Sequence, residues 1–153
     1  MDLQEQISFF ERNRDWQGLV EELEKSLGGA TQNAIKASIH LKLGRVLETK
    51  FLQSVKALKH FQDAYKLNPA LLEALEEARF IYWDLGKTNM VQKLLELELK
   101  NMQDGQKMSD LLVELGDVYC DQGDLDKATQ TYARALGLVP AMTQQSQQQQ
   151  QKG

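Results

Sequence analysis

One cysteine, two prolines and two histidines in 153 residues each remove a class of protein from consideration. A lone Cys120 cannot form an internal disulfide, so the chain is not a disulfide scaffold and fits a reducing compartment. With two prolines and ten glycines the breaks are few, and long elements must dominate. There is no Gly-rich phosphate loop, no Cys-x-x-Cys pair and no nucleophile elbow. No window approaches the roughly 18 consecutive apolar residues of a membrane span. The opening stretch MDLQEQISFFERN lacks the basic and apolar regions of a secretory signal, so the expectation is a soluble, cytoplasmic chain with no membrane partner. An excess of positive charge is also missing. A net charge of −4 and a pI near 5.2 argue against nucleic acid as a ligand.

No constellation of residues carries catalytic chemistry, and no cofactor or metal set is expected. His40 falls at a core-facing position and is expected as a packed structural residue. His60, one residue before Phe61 and toward a helix flank, is expected on the surface. Cys120 is expected as a half-buried, inert thiol, since no basic cluster stands near it in sequence. Trp16 and Trp83 sit in no basic stretch and are expected as packing residues.

What is present is helical periodicity. At 42% hydrophobic and 26% charged residues, the chain can build one domain with a substantial core. Its clearest stretch runs from Ser109 to Pro140. Leu112, Leu115, Gly116 and Tyr119 recur on one helix face, and Ala128, Tyr132 and Ala135 on another. Gly123 and Asp124 between them supply a glycine just past one helix end and an N-capping aspartate for the next. Gly116 and Ala128 are small where two antiparallel helices must approach, and Tyr119 and Tyr132 are large beside them.

These residues resemble the tetratricopeptide repeat, a roughly 34-residue helical hairpin. Leu112, Leu115, Gly116, Tyr119, Gly123, Ala128, Tyr132, Ala135 and Pro140 match its signature in order. The resemblance implies an all-α, right-handed superhelix, a solenoid of four helical hairpins over residues 1–142. A glutamine-rich segment, 143–153, follows and is expected to be disordered.

Upstream, Leu3, Ile7 and Phe10 mark a first helix. Asp15 caps a second carrying Trp16, Leu19, Leu23 and Leu27, which Gly28 and Gly29 end. Arg14 stands where the repeat would have glycine. Thr31 is expected to cap the third helix, with His40, Leu43, Gly44 and Leu47 on the signature positions. Its partner carries Ala57, Phe61, Ala64 and Pro69 at the same spacing as Ala128, Tyr132, Ala135 and Pro140. One extra residue in ETKFLQS predicts a wider turn. The third copy keeps Leu75, Ala78, Tyr82 and Gly86. It has Arg79 in place of the glycine and Val91, Leu95 and Glu98 in its second helix, which predicts looser packing.

Opposite the core positions runs a charged stripe. Asp110, Glu114, Asp117 and Asp121 fall within about 60° of one another on a helical wheel, and Glu73, Glu77, Phe80 and Asp84 form the preceding stripe. Like charges at i,i+4 destabilise a helix by roughly 0.2–0.5 kcal/mol each, so stability alone would not gather them. A helix face also holds its acids too far apart to wrap calcium. The resemblance implies that these stripes line a concave peptide-binding groove. Only Lys42 and Arg45, with Ser38 and Thr49, make it basic or neutral at one end, so a clamp for acidic C-termini is not expected. The expected function is a non-catalytic protein–protein interaction module for a protein or peptide partner of basic character. The alternative is a scaffolding or dimerising piece of a longer array. After Pro140 only Ala141 and Met142 are apolar, too few for a closing helix, which adds the expectation of a homodimer through the C-terminal hairpin.

Overall fold

Eight α-helices form the described part of the chain, residues 1–137 of a computed structural model: α1 Leu3–Arg12, α2 Trp16–Gly29, α3 Asn33–Phe51, α4 Ser54–Leu67, α5 Leu72–Asp84, α6 Thr88–Asn101, α7 Gly105–Asp121 and α8 Leu125–Gly137. The expectations for Pro140, Ala141, Met142 and the segment 143–153 lie outside the described residues. None of the described helices is long and apolar enough to cross a membrane. The chain divides into two compact units, Met1–Ile81 and the part from Tyr82 onward.

In the first unit α1 packs on α2, α2 on α3, and α3 on α4. Ile7, Leu19, Val20, Leu23, Ile39, Leu43 and Val46 form one buried cluster, with Phe10, Trp16 and Leu47 packed against its edge. Ala57, Phe61 and Ala64 are fully buried on α4. Gly44 explains the close contact of α3 and α4, because a Cβ there would collide with the Phe61 ring. Gly18 does the same for Phe10 on α1, a contact that sequence reading missed. In the second unit α7 packs on both α6 and α8. Leu112, Leu115, Ala128 and Ala135 are buried, and Gly116 lies under the Tyr132 ring as Gly44 lies under Phe61.

The turns share one device. After α1, α5 and α7 a residue in the left-handed region ends the helix: Arg14 (φ 53°), Gly86 (φ 70°) and Gly123 (φ 78°). The next backbone N–H then bonds back five residues, from Asp15 to Phe10, Lys87 to Tyr82 and Asp124 to Tyr119, each at 2.9 Å. After α3 the left-handed residue is Leu52 (φ 54°), and the Gln53 N–H reaches back six residues to Leu47. That is the wider turn expected from the extra residue. Asp15 and Asp124 cap as expected, accepting from the Gly18 and Lys127 backbone N–H groups. Thr31 does not. The helix starts two residues later, with Gln32 at the N-cap position and no side-chain cap.

Candidate peptide-binding surface

The first helix of each hairpin turns one face to its partner and leaves another open, because 3.6 residues per turn separate the two sets of side chains. On α3 the open face carries Ser38, Lys42, Arg45 and Thr49. The hydroxyls of Ser38 and Thr49 bond back to the Ala34 and Arg45 carbonyls, which leaves the cations as its chemistry. Lys42 forms an ion pair with Glu11 of α1. Arg45 reaches the opposite way to α5, with Nη2 2.9 Å from Glu73 Oε2 and Nε 3.5 Å from Glu77 Oε1. These pairs show that side chains of α1, α3 and α5 meet on one face within the first unit. Glu73 is exposed and Glu77 half-buried. Phe80, 47% exposed, stands one turn further along α5.

The two cations that set this face apart in the sequence are therefore matched by three carboxylates. Between α1 and α3, next to Lys42 and Arg45, an apolar cleft of about 550 Å³ is lined by Leu3, Ile7, Leu23, Ile35 and Ile39 among others.

In the second unit Asp84, Asp110, Asp117 and Asp121 are exposed and Glu114 is half-buried. The groups that meet the α7 aspartates are neutral. Gln106 Nε2 donates to Asp110 at 3.2 Å, and the Tyr132 hydroxyl donates to Asp117 at 2.6 Å. That short hydrogen bond to Asp117, with a further contact to Cys120, pushes the Tyr132 phenol well above its usual range. Neutral donors leave the negative charge of these two aspartates in place. Val113 is exposed on the same helix. Cys120 is exposed, not half-buried as expected, with its Sγ 3.5 Å from the Tyr132 hydroxyl.

One pair was invisible in the sequence. His40 of α3 and His60 of α4 meet with their Nδ1 atoms 2.9 Å apart and their rings tilted at 38°. Both are half-buried, so His60 is not the plain surface residue expected, and His40 has a specific partner rather than a purely packed one. Burial lowers the pKa of both rings below the ordinary histidine value. For His60 the neighbouring His40 lowers it further, while Asp63 and Glu24 oppose the shift. Among the described residues no group of three or more potential metal ligands is gathered.

No family model and no curated protein sequence matches the chain. Solved structures do. MamA superposes with a TM-score of 0.65 at 19% identity, over 92% of this chain and 76% of MamA. The N-terminal domain of stress-induced protein-1 (STI-1) from C. elegans gives 0.62 at 18% identity, over 78% of this chain and 98% of that domain. YrrB, a TPR protein with an unusual peptide-binding site, gives 0.61 at 20% identity, over 88% of this chain and 66% of YrrB. At such identities the likeness carries the fold alone. The chain has the all-α fold of a tetratricopeptide-like solenoid.

Proposed function

We propose that the chain is a non-catalytic interaction module of four repeats, acting in the cytoplasm, whose α7 face holds a basic partner segment. The observation that carries this is the run of Asp110, Glu114, Asp117 and Asp121 along one side of α7, where Asp110 and Asp117 meet neutral donors. A lysine- or arginine-rich segment would meet the charge of these two aspartates there, and Val113 offers it an apolar contact. In the first unit Lys42, Arg45, Glu73 and Glu77 make a balanced face on which Phe80 serves as an apolar anchor. Asp84 adds charge in the second unit. Such complementarity acts mainly on association rate and register.

The test is a labelled basic peptide with one leucine anchor, titrated at rising salt. Binding should weaken with ionic strength, and replacing Asp110, Glu114 and Asp117 by Asn, Gln and Asn should slow association with the fold intact. A preference for acidic peptides, or indifference to the three changes, overturns the proposal. A scaffolding or dimerising role is the second reading. It is favoured by Leu125 and Leu136 of α8, 66% and 59% exposed, and is tested by sedimentation over a wide concentration range.

A further inference from the structure

The interaction proposal leaves His40 and His60 without a role, yet their placement is specific. Two imidazoles on neighbouring helices point their Nδ1 atoms at each other across 2.9 Å. Each ring also lines an open cavity. His40 borders one of about 450 Å³ with Lys36, Asp63 and Lys66, and His60 one of about 470 Å³ with Glu24, Lys56 and Lys59. Each imidazole is therefore open to solvent on its own side.

We propose that His40 and His60 form a two-histidine site for a divalent transition metal, Ni²⁺ or Cu²⁺ in preference to Zn²⁺, which clamps α3 to α4. Neutral imidazole is the commonest protein metal ligand. With metal–nitrogen bonds of about 2.0–2.1 Å, nitrogens 2.9 Å apart subtend an angle of about 90° at the ion. That is the angle between adjacent ligands in square-planar or tetragonal Ni²⁺ and Cu²⁺ sites, and it is narrower than the tetrahedral angle zinc prefers.

In the metal-free pair one Nδ1 donates its proton and the other accepts. For both to bind an ion, the donor ring moves its proton from Nδ1 to Nε2 through solvent. Both rings then turn so that their Nδ1 lone pairs converge on the metal, and no net proton or electron is exchanged. Water completes the coordination sphere. Asp63 of α4 and Glu24 of α2 favour a cation at this point, and Lys59 of α4 opposes it.

The experiment uses the full chain, stripped with chelator and titrated calorimetrically at neutral pH with Ni²⁺, Cu²⁺ and Zn²⁺. The expected result is one Ni²⁺ per chain, a melting temperature that rises with free metal, and a loss of at least tenfold in Ni²⁺ affinity in His40→Gln and in His60→Gln. Cys120→Ser should bind as the parent does. A proton NMR spectrum of the parent chain gives a second readout that needs no variant: substoichiometric Ni²⁺ should broaden the His40 and His60 ring signals first. No binding at millimolar Ni²⁺, unchanged affinity in either histidine variant, or tighter binding of Zn²⁺ than of Ni²⁺ overturns the proposal.

Discussion

Adding a single methyl group at Gly116 sets two known effects against each other. In an open helix, glycine to alanine stabilises by about 1 kcal/mol. At Gly116 the new Cβ would meet the Tyr132 ring, whose Cζ lies 2.8 Å from the ideal Cβ position. The ring has little freedom to retreat, because its hydroxyl is held by Asp117 at 2.6 Å. Overpacking of this kind costs roughly 1–3 kcal/mol, which offsets or exceeds the propensity gain, so Gly116→Ala should be net destabilising by up to about 2 kcal/mol. Urea unfolding followed by far-ultraviolet circular dichroism should show a lower midpoint at an unchanged slope. Gly28→Ala in α2 is the control, since a Cβ there meets nothing within 4 Å; it should match the parent or exceed it. In a Tyr132→Leu background the ring that the methyl strikes is gone, and the same substitution should turn from a loss into a gain. A Gly116→Ala midpoint at or above the parent's, or a cost unchanged in the Tyr132→Leu background, would refute the packing argument.

The left-handed turn residues supply a second prediction. Arg14→Gly and Leu52→Gly should each stabilise by about 0.5–1 kcal/mol, as the roughly 1–2 kcal/mol left-handed penalty outweighs the extra unfolded-state entropy; thermal melts check this. In the presence of chelator, lowering pH from about 8 to about 5 should destabilise the first unit. The folded histidines titrate below the unfolded value near 6.5, so their stabilisation is present above that value and is lost as pH falls toward the folded one. His60→Gln should flatten this dependence. Arg45→Gln should uncover Glu73 and Glu77 and raise affinity for a basic peptide a few-fold, measured by fluorescence anisotropy. Asp121→Asn, which leaves the Tyr132–Asp117 hydrogen bond in place, should raise stability by roughly 0.2–0.5 kcal/mol as an i,i+4 repulsion is removed, and lower basic-peptide affinity in the same protein.

The hairpins were legible because their closest contacts are written as local pairs of small and large residues. Gly44 with Phe61 and Gly116 with Tyr132 sit at fixed steps within a repeat, and only a helical period brings them to one face. The turn after α3 was legible in the same way, since an added residue must lengthen the return bond by one. Thr31 misled because a plausible capping residue competes with its neighbours. Ala30 is already extended, and the chain enters α3 at Asn33 with no side-chain cap at all. His40 and His60 could not be read. They are twenty residues apart on different helices, and each alone looks like a flank position.

Charge is where periodicity gives only half of the answer. The wheel placed Lys42 and Arg45 on an open face, but the meaning of a cation depends on what stands across from it. Glu11 and Glu73 lie 31 and 28 residues away in sequence. Exposed ion pairs of this kind contribute about 0–1 kcal/mol, so they do little to hold the first unit together. Their larger effect is to cancel the field of that face. Asp110 and Asp117 of α7 meet neutral donors instead and keep the negative charge on which the proposed attraction for a basic partner rests. In the proposed module the same charge that weakens the helix speeds association, and a substitution that separates these two quantities measures which of them the stripe serves.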